Sequence, residues 1–170
     1  KDEILFTTYL CHPSMCNDNL SGLSLLVFLA KQMMNKTLNY SYRFLFIPET
    51  IGAITWLNIN EDKVSQIKQG LVATCLGDCG HSTYKKTKNG NTIIDKIVLK
   101  VLKESSFPFR VIDFFPFGSD ERQFSSPGFN LNVGSLMRTP YGQFDEYHTS
   151  GDNLDFIKSG AEVIITNTFT

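Results

Sequence analysis

Short apolar segments of strand-like composition alternate along this chain with segments of helical type, and this alternation constrains the fold more than any other feature. Residues 4–10 read Ile-Leu-Phe-Thr-Thr-Tyr-Leu, a run rich in β-branched and aromatic side chains. Residues 93–102 instead carry apolar side chains at helical spacing. Strands are predicted at residues 3–10, 41–47, 70–76, 109–114 and 129–133, and helices at 20–35, 51–57, 92–104 and from 155 onward. The resulting order, β-α-β-α-β-α-β-β-α, predicts an α/β fold: a three-layer sandwich with a mostly parallel or mixed central sheet.

The size and charge of the chain narrow the class of protein. It has 170 residues, of which 42% are hydrophobic, and this suits one domain with a packed core. The net charge of −1 gives no electrostatic basis for binding nucleic acid or an anionic membrane. No apolar run approaches the roughly 20 residues that a membrane-spanning helix needs. We therefore expect no nucleic-acid partner and no membrane association. Because we recognise no signal peptide, we expect a cytoplasmic protein.

The two ends of the sequence and its cysteines lead to further expectations. The chain opens on a core-type strand and closes on an apolar run at residues 161–169, which suggests a piece of a longer protein that lacks N-terminal strands. We treat residues 1–170 as one catalytic domain. The cysteine spacings, C-x4-C and C-x3-C, fit a structural zinc site poorly. Nothing indicates the oxidising compartment that a disulfide requires, so we expect reduced thiols without a direct role.

Side chains that bind metals or move protons follow several predicted strands directly. These residues are His12, Asp18, Glu49 and Asp78, and His148 lies in a long loop nearer the C-terminus. In an open α/β sheet, the loops after the carboxyl ends of the strands form the ligand site. Imidazole and carboxylate groups together suit zinc and similar ions. The pattern therefore predicts a zinc hydrolase.

Each of these residues also has a plain structural explanation when it is taken alone. Asp18 is a favoured residue for capping a helix, and an acid at position 49 is favoured by the positive end of a helix dipole. Asp78 suits a turn, His12 suits a solvated loop, and Asp152 is a plausible cap for the helix predicted after it. The convergence of candidate ligands at successive strand ends favours the metal site.

A set of short motifs in a fixed order resembles a known enzyme family. The motifs are His-Pro at 12–13, Asn-Asp-Asn-x-Ser-Gly at 17–22, Glu-x-x-Gly at 49–52, Gly-Asp at 77–78, Gly-Ser-Asp at 118–120 and Tyr-His-Thr-x-x-Asp at 147–152. This order resembles the bacterial di-zinc aminopeptidases of the leucyl aminopeptidase type. It is most similar to a less characterised bacterial branch of aminopeptidase-like proteins. The resemblance runs from about residue 5 to residue 160.

The resemblance implies a phosphorylase/hydrolase-like zinc exopeptidase fold and cleavage of an N-terminal peptide bond. It implies that His12 and Asp78 hold one zinc together with Asp18, the carboxylate that bridges two zincs. His148 matches the ligand of the other zinc. Glu49 matches the general base, which would take a proton from a zinc-activated water and deliver it to the leaving amine.

One position departs from the family pattern. The family usually has two adjacent glutamates, a base and then a ligand of the second zinc, and here the second is Thr50. A neutral hydroxyl is a poor zinc ligand. We therefore expect one firmly bound zinc, held by His12, Asp18 and Asp78, and a possible second that is weaker unless another acid such as Glu146 contributes.

The expected substrate is a peptide or another amide. Asp120 matches a family acid near the substrate pocket. Asp18 and Asp120 are candidates to receive the α-ammonium group, and Tyr141 or Arg138 is a candidate to stabilise the oxyanion. Apolar side-chain recognition or ordinary core packing would both explain the phenylalanines at 114, 115, 117 and 144. Thr50 motivates two alternatives: a mono-zinc enzyme of the glutaminyl-cyclase or sugar-amide hydrolase kind, and a catalytically inert module that binds a peptide or glycan.

Overall fold

The computed structural model describes residues 2–158 and contains one six-stranded sheet. Its strands are β1 (Glu3–Tyr9), β2 (Ser41–Ile47), β3 (Ile67–Ala73), β4 (Ser82–Lys85), β5 (Phe109–Ile112) and β6 (Val133–Met137). Their spatial order is β2-β1-β3-β6-β4-β5. Neighbouring strands are parallel except for β4 and β6, which pair antiparallel. The sheet is therefore mixed, as the sequence predicts.

Helical segments connect these strands. They are a π-helical segment (Cys16–Ser21), α1 (Gly22–Met33), α2 (Ile51–Ile59), α3 (Glu61–Val64), α4 (Ile93–Glu104) and α5 (Glu121–Phe124). α4 begins with a capping box. The Thr92 side chain accepts a hydrogen bond from the backbone N–H of Asp95, and the Asp95 side chain accepts one from the backbone N–H of Thr92. Among residues 2–158, no helix is long and apolar enough to cross a membrane.

The helices cover both faces of the sheet and create two cores. On one face, α1 and α4 pack Leu26, Leu29 and Leu102 against Phe6 and Leu71. On the other face, α2, α3 and α5 pack their apolar side chains against Leu5, Val72 and Val133. Since successive side chains of a strand point to opposite faces, neighbours such as Leu5 and Phe6 belong to different cores. The three-layer α/β sandwich is confirmed.

Several element boundaries differ from the prediction. β6 begins at Val133, four residues after the predicted start, because Gly128 and Asn130 have positive φ angles and form a turn where the strand was predicted. β3 begins three residues early, at Ile67. The short elements α3, β4 and α5 were not predicted. The helix predicted from residue 155 is turn and loop as far as Lys158, and its remainder lies outside the described residues.

Candidate metal centre

Three of the predicted site residues, His12, Glu49 and His148, come from loops at one edge of the sheet, because β1, β2, β3 and β6 all run parallel. His12 follows β1, and Glu49 follows β2, which runs parallel to β1. His148 follows β6, which is parallel to β3. The carboxyl ends of these strands therefore lie at a common edge, which is where open α/β sheets bind ligands.

Three of the predicted metal ligands form a close group. One ligand atom from each of His12, Asp18 and His148 lies within 4.8 Å of the others. Oδ2 of Asp18 is 2.9 Å from Nε2 of His148 and 3.8 Å from Nδ1 of His12. The Asp18 side chain is 1% exposed, whereas that of His148 is 46% exposed. The group thus combines a buried carboxylate with imidazoles that reach solvent, as a catalytic metal site with an open position requires.

Asp18 is held in place through both its side chain and its backbone. The Tyr9 hydroxyl donates a 2.6 Å hydrogen bond to Oδ1 of Asp18. Asp152 accepts the backbone N–H of Asn17 at 2.5 Å and that of Asp18 at 2.9 Å. Asp152 therefore caps the π-helical segment that carries Asp18, rather than a helix that follows it.

The asparagines on either side of Asp18 fasten this segment to the end of β3. Oδ1 of Asn17 accepts the backbone N–H of Gly77 at 2.7 Å, and Oδ1 of Asn19 accepts that of Cys75 at 3.1 Å. Gly22 lies so close to β3 that a Cβ atom there would be 2.6 Å from the carbonyl oxygen of Ala73. The Asn-Asp-Asn-x-Ser-Gly motif thus positions Asp18 in two ways. The side chains of Asn17 and Asn19 accept hydrogen bonds from the chain after β3, and Gly22 allows the helix to pack closely against β3.

Glu49 is half-buried beside the close group of His12, Asp18 and His148. Cys11 connects them, since its Sγ is 2.9 Å from Nδ1 of His12 and 3.9 Å from Oε2 of Glu49. Burial, together with the negative charges of Asp120 and Asp18, raises the pKa of Glu49 to about 7, while the positive charge of Arg122 opposes this shift. A carboxyl group with a pKa near neutrality is suited to proton transfer at physiological pH.

Thr50, the residue after Glu49, is hydrogen-bonded through both its backbone N–H and its hydroxyl. The backbone N–H of Thr50 donates to Oδ1 of Asp120 at 2.7 Å, and its hydroxyl accepts a hydrogen bond from Nη2 of Arg122 at 3.2 Å. Asp120 is fully buried, which raises its pKa to about 6. The predicted substrate acid therefore contacts the turn that carries Glu49.

Asp78, which the resemblance assigns to the zinc of His12, is not part of the close group of His12, Asp18 and His148. Its Oδ1 accepts hydrogen bonds from Gly80 and Thr139, and its Oδ2 accepts from Asn17 and Thr139. Both oxygens of this buried carboxylate thus fix the loop after β3. In the described structure, the close group contains His12 and His148, the two histidines that the resemblance assigns to different zincs.

The two predicted oxyanion residues lie in the loop after β6. The Arg138 guanidinium donates to the backbone carbonyl of Asp78. The Tyr141 hydroxyl donates to the carbonyl of Phe117 at 3.2 Å and lies 3.3 Å from Nζ of Lys85. Both side chains are partly exposed, and each is held by a neighbouring loop rather than by the metal group.

Comparison with known proteins identifies the family. The family described as "Domain of unknown function (DUF4910)" matches residues 1–168. The chain belongs to this family. A Clostridium acetobutylicum protein provisionally named for polysaccharide biosynthesis and an aminopeptidase-like domain is 61% identical over 175 residues, which cover 98% of this chain and 40% of that protein.

Solved structures agree with this assignment. A crystal structure of a Clostridium acetobutylicum protein provisionally described as a peptidase matches with a TM-score of 0.92 and 60% identity, over 99% of this chain and 39% of that one. The Bacillus subtilis zinc aminopeptidase BSAP matches with a TM-score of 0.81 and 14% identity, over 98% of this chain and 44% of that one. The second likeness shows a shared fold. The chain spans about two fifths of the length of these relatives.

Sequence reasoning missed several residues that support the site in the described structure. Tyr9 was counted only as part of a strand, although a tyrosine at a strand end beside candidate ligands is a detectable signal. Lys85 forms a fully buried ion pair with Glu121, the residue after Asp120, with 2.7 Å between Nζ and Oε1. Sequence alone gives little sign of such a pair, because lysine and glutamate are almost always exposed.

Proposed function

We propose that this chain carries the site of a zinc-dependent hydrolase of the aminopeptidase type, with one zinc held by His12, Asp18 and His148. The observation that carries the proposal is the close approach of their ligand atoms, all within 4.8 Å of one another. Two imidazoles and one carboxylate form a donor set that catalytic zinc uses. The aminopeptidase-like fold and the zinc aminopeptidase among the structural neighbours support the same metal.

A single zinc fits this donor set better than two. Thr50, which stands where the resembling enzymes have a ligand of the second zinc, has its hydroxyl bonded to Arg122. Both oxygens of Asp78 accept hydrogen bonds, from Gly80 in its own loop, from Thr139 and from Asn17. Neither residue presents a free anionic ligand, so the proposed site has three protein ligands and an open side formed by the partly exposed histidines.

The chemistry of the site divides between the metal and Glu49. A bound zinc supplies the Lewis acidity that polarises a scissile carbonyl and lowers the pKa of water. Glu49 takes the proton of the attacking water and delivers it to the leaving amine, since its pKa of about 7 permits both steps near neutral pH. Tyr9 and Asp152 hold Asp18 in position.

The proposed substrate is a peptide with a free N-terminus. Arg138 and Tyr141 are partly exposed and remain the proposed contacts for the substrate and its oxyanion. Asp120 is fully buried and acts through the backbone of Thr50 instead of touching the α-ammonium group. An amide-bearing sugar is a second candidate substrate, because one relative is named for polysaccharide biosynthesis.

Metal content and turnover together test this proposal. Purified protein is remetallated with zinc and analysed by elemental analysis beside His12→Ala, Asp18→Ala, His148→Ala and Asp78→Asn. We expect one zinc per chain in the wild type and in Asp78→Asn, and loss of zinc in the other three variants. No zinc in the wild type contradicts the hydrolase assignment and favours an inert binding module.

The role of Glu49 is tested in the same preparations. Glu49→Gln should keep its zinc and lose turnover by roughly 10²- to 10⁴-fold, the range typical of a general base. Aminoacyl anilides, peptides with N-terminal glutamine and N-acyl sugars form the substrate panel. Turnover of anilides identifies an aminopeptidase, and turnover of N-acyl sugars alone identifies the sugar-amide alternative.

A further inference from the structure

We propose that Arg122 is a positioning residue which, together with Asp120, clamps Thr50 and so fixes the turn that carries Glu49. This inference rests on the proposed function, because it assigns Glu49 as the base.

The turn after β2 has a backbone that needs outside support. Thr50 has a φ angle of 59°, in a region that β-branched residues rarely occupy. Such a conformation costs of order 1–3 kcal/mol and persists only where surrounding contacts impose it. The turn is also tight, since a Cβ atom on Gly52 would lie 2.8 Å from Cβ of Ile47. Glu49 is therefore followed by a strained residue in a crowded turn.

Two side chains from α5 and its start supply the outside support. Asp120 accepts the backbone N–H of Thr50 at 2.7 Å. Arg122 donates from Nη2 to the Thr50 hydroxyl at 3.2 Å, while its Nε donates to Oε1 of Gln123 at 2.9 Å. The backbone and the side chain of Thr50 are thus held separately, and Gln123 orients the guanidinium that holds the side chain.

The clamp fixes Glu49 because the two residues share one peptide unit. Rotation of the backbone at Thr50 moves the Glu49 carbonyl, which accepts the N–H of Ile51 at 2.6 Å. Displacement of a catalytic group by about 1 Å lowers a rate by on the order of 100-fold. The positive charge of Arg122 also opposes the negative charges around Glu49, but that effect alters protonation and not geometry.

A double-mutant cycle separates the clamp from a general effect of charge. Arg122→Gln and Thr50→Val each remove one partner of the same hydrogen bond, and each should lower kcat by on the order of 10- to 100-fold with KM nearly unchanged. The double variant should be no slower than the slower single variant, because both changes break one interaction. Thr50→Ser keeps the hydroxyl and should retain turnover. Lys88→Gln removes a positive charge at the end of α5, where Nζ of Lys88 donates to the carbonyl of Ser125 at 3.3 Å, and this variant should also retain turnover.

The pH profile of Arg122→Gln discriminates between geometry and charge. If Arg122 acts only by its charge, the rate of the variant rises to the wild-type plateau once the pH is high enough to ionise Glu49. If it acts as a clamp, the plateau itself is lower. A full recovery at high pH, or effects of the two single variants that multiply in the double variant, would overturn the proposal.

Amide hydrogen exchange tests the clamp without any turnover. In zinc-free protein, exchange at the Thr50 amide should be at least several-fold faster in Arg122→Gln than in the wild type, and unchanged in Lys88→Gln. If no substrate is cleaved but exchange responds in this way, the proposed function fails and the clamp stands as a structural device. If exchange is unchanged, the clamp itself is rejected.

Discussion

Tyr9 and Asp18 share a buried hydrogen bond of 2.6 Å, which occupies one carboxylate oxygen of Asp18 and leaves the other facing His12 and His148. Thr74 lies on the far side of the Tyr9 hydroxyl, with its Oγ1 at 2.6 Å. The hydroxyl is therefore fixed by two partners. Outer contacts of this kind orient a metal ligand before the metal binds.

Removal of the Tyr9 hydroxyl should weaken zinc binding. Tyr9→Phe leaves Oδ1 of Asp18 buried without its donor, and loss of such a contact typically costs 10- to 100-fold in metal affinity. Zinc affinity is measured by competition with a chromogenic chelator. Tyr40→Phe is the matched control, because Tyr40 is exposed and lies before the amino end of β2, whereas the candidate site lies at the carboxyl ends of the strands. Equal affinities in the two variants would rule out this role for Tyr9.

Loss of the Asp152 carboxylate should destabilise the fold around Asp18. Asp152→Ala leaves the N–H groups of Asn17 and Asp18 without their acceptors, at roughly 1–3 kcal/mol for each buried group. The free energy of unfolding is measured in urea with zinc-free protein. Asp152→Asn keeps one oxygen and should lie between the wild type and the alanine variant. The exposed Asp155→Ala serves as control, and a loss as large as that of Asp152→Ala would contradict the prediction.

The strands that the sequence placed well are those with local boundary signals. β2 was predicted with its observed bounds, because β-branched and aromatic residues fill it and Pro48 ends it. The predicted start of β6 was wrong, because Asn130 has a positive φ angle in a turn and the pairing with β3 starts only at Val133. The partner strand decides such a boundary, and the sequence of β6 alone does not contain it.

The sequence indicates candidate ligands, but it does not indicate which of them lie close together. His12, Asp18 and His148 stand at strand ends or in a long loop, which sequence reveals directly. Asp78 has the same appearance in the sequence, yet the described structure ties it to Thr139, 61 residues away. Hydrogen bonds between distant loops decide which carboxylates remain free, and no local pattern records them.

The Glu49 carboxyl should make the protein less stable as the pH rises. Its pKa is about 7 in the folded protein, above the ordinary value of 4.5, so folding favours the protonated form. This contribution to stability is fully present below pH 4.5 and is lost as the pH rises through about 7. Burial is the main cause, negative charges at Asp120, Asp18 and Glu121 add to it, and Arg122 opposes it.

The measurement compares zinc-free wild type with Glu49→Gln. Between pH 4.5 and 7.5, the unfolding free energy of the wild type should fall relative to that of the glutamine variant, which cannot ionise. Asp120→Asn removes the negative charge that raises the pKa of Glu49 most, and it should therefore move this fall to lower pH. A difference that is flat or rises over this range would contradict the raised pKa.

Removing one partner of the buried Lys85–Glu121 pair should lower the free energy of unfolding strongly, whereas replacing both partners by apolar residues should lower it much less. Both side chains are 0% exposed, with 2.7 Å between Nζ and Oε1, and the lysine also lies 3.9 Å from the ring centre of Phe115. Lys85→Met alone leaves an uncompensated carboxylate in the interior, at roughly 3–5 kcal/mol. Adding Glu121→Leu removes that charge and should recover most of the lost stability.

The neighbouring pair of Lys86 and Asp113 provides the matched control. Asp113 is 85% exposed, so Lys86→Met should cost about 0–1 kcal/mol, as is usual for a surface ion pair. Urea unfolding of the four proteins gives the comparison directly.

Because Glu121 follows Asp120, the single variant Lys85→Met should also disturb the Asp120 contact with Thr50, and the double variant should restore it. If the double variant is as unstable as the single one, lost packing of the lysine stem explains the cost and the ion pair does not.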